Sequence, residues 1–140
     1  MSIYVTMSSD RALNYFPQNN TYNFKTHLNA PLLLDGVWKV ALVDVDIVSN
    51  TSKTEAIYLY SSICGESIVE GEKKPLLHRL PVTITGNWST NIEAPFYVPV
   101  KYNNIYEIDI NRTTNQDDLA SFIDDQRSTV TLHFKSFPFF

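Results

Sequence analysis

The chain has a single cysteine, Cys64, so no disulfide can form within it, and its four glycines are too few to build a phosphate-cradling loop, a dinucleotide turn or a nucleophile elbow. None of those motifs is present. The three histidines, His27, His78 and His133, stand far apart, and none has another histidine or a cysteine at zinc-ligand spacing. The eleven Lys and Arg residues are scattered and the formal net charge is −4, so the basic stripe that displaces counterions from nucleic acid is missing. No apolar run approaches the roughly 20 residues that cross a bilayer. The opening Met1-Ser2-Ile3-Tyr4-Val5 lacks the basic patch and apolar run of a secretory signal. These absences predict a soluble, non-enzymatic protein of a reducing interior, not secreted, with no cofactor, no metal, no direct nucleic-acid contact and no membrane contact. The Asn-x-Ser/Thr sequons that begin at Asn19, Asn50, Asn87 and Asn111 then read as coincidences of an Asn- and Thr-rich chain.

What is present is apolar and aromatic side chain, at 44% and 13% of the residues, enough to demand a folded core. At 140 residues the expectation is one domain spanning positions 1–140. The organising period is two, which sends alternate side chains to opposite faces of a sheet. In 22–28, Tyr22, Phe24 and Leu28 share one face, and Asn23, Lys25 and His27 the other. The longest β-prone run, 36–48, is apolar on both faces as far as Leu42, after which Val43, Val45 and Ile47 separate from Asp44 and Asp46. Leu32-Leu33-Leu34 reads as a short strand before the Asp35-Gly36 turn, and further strands are expected at 3–7, 56–63, 67–69, 76–80, 82–85, 96–100, 106–110 and 129–134. Glu70 to Pro75 reads as a charged turn, and Gly86 to Pro95 as an exposed loop carrying Trp88. A turn or two of helix capped by Asn115 and ending near Ile123 is the single helical expectation. This spacing predicts an all-β, antiparallel β-sandwich of about eight strands.

Asp44 and Asp46 lie two apart on one strand face, the arrangement of a shared cation or an acid/base pair, but a cation needs more oxygens than these two carboxylates supply. They are expected to form a solvated or partner-facing polar edge. The pairs Asp117-Asp118 and Asp124-Asp125 read as a solvated acidic loop. His27 and His133 fall on polar strand faces and are expected at the surface or in cross-strand polar contacts, while Cys64 is expected as a small buried hydrophobe. Trp38 belongs to a buried face. The tail Phe134-Lys135-Ser136-Phe137-Pro138-Phe139-Phe140 carries more phenylalanine than one small core can take, which marks Phe137, Phe139 and Phe140, with Trp88, as candidate interface residues.

The run Phe24-x-x-x-Leu28-x-x-x-Leu32-x-Leu34-x-Gly36-x-Trp38-x-Val40-Ala41-Leu42-x-Asp44 resembles the opening strands of the minor capsid, or penton-like, proteins of Polinton (Maverick) elements and adintovirus-like viruses. The later segments 99–110 and Thr129-Val130-Thr131-Leu132-His133-Phe134 are similar to that family's last pair of strands. The resemblance implies a single jelly roll, a homo-oligomer, pentameric in such viruses, and other capsid proteins as partners in a virion or host-cell interior. The alternative from the residues alone is a monomeric β-sandwich module that binds a glycan or peptide through the 86–95 loop and Trp88.

Overall fold

The computed structural model describes residues 2–9, 23–49, 56–69, 71–81, 86–114, 118–119 and 129–137. The strands are β1 (Ser2–Ser8), β2 (Asn23–Leu33), β3 (Val37–Ser49), β4 (Ala56–Tyr60), β5 (Ser67–Val69), β6 (Glu72–Lys74), β7 (Leu76–Pro81), β8 (Gly86–Asn91), β9 (Val98–Pro99), β10 (Asn104–Thr114), β11 (Asp118–Leu119) and β12 (Thr129–Phe137). Among the described residues there is no helix, and so none long and apolar enough to cross a membrane.

All pairings are antiparallel and they build two main sheets. One runs β1-β12-β3-β8, with β9 taking the place of β8 along the first half of β3. In the other, Asn111 of β10 lies opposite both Asn23 of β2 and Tyr60 of β4. The two strands therefore flank β10, the order is β2-β10-β4-β7, and β11 extends the β2 side. Counting β8 and β9 as one interrupted strand and setting aside the β5-β6 hairpin and the two-residue β11, strands one, eight, three and six form the first sheet, and two, seven, four and five the second. This is the strand order of a jelly roll, a sandwich of two wound Greek keys.

The core lies between the sheets, where alternate residues point. Met7, Val40, Leu42, Val45, Val130, Leu132 and Phe134 of the first sheet meet Phe24, Ile57, Leu59, Leu77, Leu80, Ile108 and Ile110 of the second. Each such side chain taken fully from water contributes on the order of 1.5–3 kcal/mol before the entropy cost of folding. Trp38 is buried as expected, and its indole Nε1 donates to the Asp35 carbonyl at 2.9 Å. Cys64 is buried too.

Several sequence expectations are corrected. Thr131 lies opposite Asp44 but Leu132 opposite Leu42, so Val43 is an extra residue, a β-bulge. The bulge shifts the alternation by one, which is why Ala41 and Asp44 share the outer face; before it, outward Val37 and Ala41 alternate with inward Trp38, Val40 and Leu42, and the run reads as apolar on both sides. Leu32-Leu33 is not a separate strand but the end of β2, whose Pro31 falls where the β10 register breaks between Ile105 and Glu107, a place where no ladder donor is needed. Of the expected 86–95 loop only 92–95 lies outside a strand: Gly86 to Asn91 pair with Ser49 to Asp44, satisfying the far edge of β3. Glu72-Lys73-Lys74 form a hairpin arm, turned by Gly71 at φ 82, a left-handed conformation that glycine adopts without a Cβ penalty. Within the expected helical turn, Asp118 and Leu119 pair as strand with Thr114 and Thr113, and its other residues, 115–117 and 120–123, lie outside the described residues. The expected strand at 82–85, the acidic residues Asp117, Asp124 and Asp125, and the tail residues Phe139 and Phe140 lie outside the described residues.

Candidate functional site: an aromatic and charged sheet face

The outer face of the first sheet gathers aromatic, charged and hydroxyl side chains on neighbouring strands. Odd residues of β12 and even residues of β1 point outward, and cross-strand register arranges them in rows. Thr129 stands between Ser8 and Asp46, and Thr131 between Thr6 and Asp44. His133 stands between Tyr4 and Ala41, Lys135 between Ser2 and Lys39, and Phe137 beside Val37.

The half of this face near Phe137 is aromatic. Tyr4 stacks on His133 with centroids 4.3 Å apart and an interplanar angle of 8°, yet is itself 65% exposed. From the segment before β9, Tyr97 brings its hydroxyl to 2.7 Å from His133 Nδ1 and meets the Phe137 ring edge-on at 6.2 Å. Roofed by these two tyrosines, His133 is only 8% exposed, so of the two expected roles it takes that of a cross-strand contact on the outward face and not of an open surface residue. Desolvation, with the Lys135 charge adding to it, holds the imidazole below its ordinary pKa, so the ring is neutral at pH 7. Lys39 Nζ sits 4.8 Å from the Phe137 centroid and Lys135 Nζ 5.6 Å from it, so both ammonium groups converge on one ring. Lys135 also reaches the Tyr97 ring at 5.9 Å.

The opposite half is hydroxylic and acidic. Thr6 and Thr131 hydroxyls lie 3.0 Å apart, Ser8 and Thr129 hydroxyls 3.2 Å, and Asp44 and Asp46 stand exposed beside them. The two aspartates are a polar edge, as expected, and among the described residues no group of three or more His, Cys, Asp or Glu side chains is placed to hold a metal ion.

Other chemically notable groups are separate from this face. Burial, with the Asp109 charge adding to it, pushes the Cys64 thiol up to about 12, which leaves it protonated and unreactive at neutral pH. Asp109 itself accepts from the Ser62 amide at 3.0 Å and the Ser62 hydroxyl at 2.5 Å. Arg112 takes an inward position of β10 and is fully buried, and desolvation pulls its guanidinium down to about 9. A shallow cleft of about 240 Å³ beside β7 is lined by Leu76, His78, Phe96 and Val98, below the usual size of a small-molecule site. His78 is half-buried there, and burial lowers its pKa.

Of the interface candidates, Phe137 lies in the aromatic half of the face and is half-buried, and Trp88 stands on edge strand β8 opposite Ile47. The fold does not bring the two together into one described cluster. Sequence reading misses Tyr4, Tyr97, Lys39 and Lys135. The alternation His133, Lys135, Phe137 on one strand face is the signal that points to them. No protein-family model matches the chain, and a search of curated proteins finds no relative.

Proposed function

We propose that this chain is a non-enzymatic structural protein, a minor-capsid or penton-type subunit that acts by self-association with further copies and with other capsid proteins. The observation that carries the reading is the strand order, β1-β12-β3-β8 over β2-β10-β4-β7, the architecture that the resemblance of the opening and closing strands implies. Edge strands supply a mode of association: among the described residues β1 pairs only with β12, leaving its other side as a template for a neighbouring strand. The unreactive Cys64 and the internally bonded His133 supply no nucleophile or free base.

Light scattering on the purified protein over a concentration series, with the full chain and with 138–140 deleted, tests the reading. A discrete closed oligomer that weakens on deletion supports it. A strict monomer at every concentration overturns it. One observation favours the second reading, a monomeric glycan- or peptide-binding module: the open ring face of Tyr4, buttressed by His133, is a stacking platform. A monomer that binds simple sugars or short peptides and loses them on Tyr4→Ala would establish that reading instead.

A further inference from the structure

Lysines 39 and 135 are directly opposite each other across β3 and β12. Like charges at such a position destabilise a sheet. Elsewhere the chain obeys the opposite rule: on the outer face of the second sheet Asp109 faces Lys25 and Glu107 faces His27. Among the described residues neither Lys39 nor Lys135 has an acidic partner, and neither Asp44 nor Asp46 has a basic one. One face therefore carries an unmatched basic row at one end and unmatched acids at the other, with an exposed tyrosine between them.

We propose that this face docks onto the same face of a second copy, about a two-fold axis that lies in the interface and runs across the strands. Such an axis reverses strand direction and keeps β3 over β3. With the axis between the His133 and Thr131 rows, Lys39 of one copy meets Asp46 of the other. Tyr4 then lies over Thr6, its hydroxyl among partner hydroxyls. The alternative two-fold, parallel to the strands, sets lysines on lysines and is rejected by charge. Rows two residues apart are about 6.7 Å apart along a strand and strands about 4.8 Å apart, so each outward position covers about 32 Å² and four rows on three strands cover about 390 Å² per copy. That is roughly half of the area each partner gives to a standard interface, about 800 Å². The contact is accordingly weak and salt-sensitive, one contact of an assembly rather than a permanent dimer.

This assignment rests on the self-association reading, and the test separates the two. Sedimentation velocity is run at high protein concentration in low and high salt on the wild type, on K39E/K135E, on D44K/D46K, and on their equimolar mixture. Each reversal alone makes the face single-signed and is expected to weaken association at least about tenfold, while the mixture, acidic face on basic face, restores it. Lys135→Glu and Asp44→Lys, at exposed positions, repeat the test if a double reversal fails to fold. Wild-type association that the reversals leave unchanged, or a mixture that does not recover, overturns the face assignment and leaves self-association standing. A wild type that is monomeric throughout overturns both.

Discussion

Removing one hydroxyl, in Tyr97→Phe, tests the described arrangement of the aromatic face. The Tyr97 hydroxyl lies 2.7 Å from His133 Nδ1, and the imidazole is sandwiched under Tyr4 with 8% of its surface exposed. Its other nitrogen, Nε2, is buried and has no hydrogen-bond partner among the described residues. Turning the ring over therefore exchanges one unmet nitrogen for the other and repairs nothing. A neutral hydrogen bond is worth about 1 kcal/mol net, and stranding a buried partner costs about 1–3 kcal/mol. Tyr97 is only half-buried, so water reaches part of the site and the expected loss is about 1.5 kcal/mol, from the lower part of that range. Urea unfolding followed by tryptophan fluorescence measures it, with an unchanged m-value required for the comparison. The specific check is a double-mutant cycle with His133→Phe, which keeps a ring stacked on Tyr4 but offers no nitrogen. In that background Tyr97→Phe is expected to cost almost nothing, leaving a coupling of about 1 kcal/mol or more. A loss below about 0.3 kcal/mol in the wild type, or an equal loss in both backgrounds, refutes the reasoning.

The remaining expectations are simpler. Phe134 is fully buried on β12 between the sheets, so Phe134→Ala should cost about 3–5 kcal/mol in urea unfolding, and a loss under about 1 kcal/mol would show that it is not a core residue. Cys64, with its thiol pushed up to about 12, should resist a disulfide reagent at pH 8 in the folded protein and react at once in denaturant; rapid labelling of the native state contradicts its burial. His78 and His133 both have lowered pKa values in the folded chain, so the unfolded chain binds more protons below its ordinary value of 6.5. Stability is therefore whole above about pH 6.5 and falls as pH drops towards the folded values. Replacing both histidines with phenylalanine should flatten the first part of that decline, and an unchanged pH profile counts against it.

Strand identity is legible in the sequence wherever burial on one face enforces alternation, as in β12, where Val130, Leu132 and Phe134 are buried and Thr131 and Lys135 are not. The bulge at Val43 is not, because an inserted residue leaves a β-prone sequence β-prone and shows only in the register of the partner strand. The strand at 86–91 escapes a sequence reading for a related reason. Its residues lack an alternating apolar face, and what makes it a strand is the open edge of β3, set by pairings remote in sequence. The same holds for the candidate site. The surplus of phenylalanine after Phe134 points to Phe137, but the roof over His133 comes from Tyr97, 36 residues away, and from Tyr4 at the other end of the chain. No local pattern contains that information.

The two outer faces of the sandwich differ in a way that composition does not require. On the second sheet, outward Asp109 stands opposite Lys25 and Glu107 opposite His27, so no two like charges face each other across that pair of strands, which is what a solvated face needs. On the first sheet, Lys39 is set against Lys135, and the carboxylates that would answer them sit about 13–20 Å along the strands, at the conventional rise per residue. A one-residue slip of β12 would carry Lys135 to the inner face and Phe134 to the outer one, so the core forbids relief by register. Exchanging the charges, Lys39→Asp with Asp46→Lys, would keep the core, the alternation and the net charge, and would answer Lys135 within its own sheet. If the unmatched pair served no purpose outside the monomer, that exchange should raise its stability by up to about 1 kcal/mol without changing anything else. Between two copies of the exchanged chain, an acid still lies over a base across the two-fold, with the signs reversed. The self-docking reading therefore requires that the double exchange preserve association with itself while losing it in mixtures with the wild type, where lysine would meet lysine and aspartate would meet aspartate. A variant that pairs with the wild type as well as with itself would show that these charges do not set the contact.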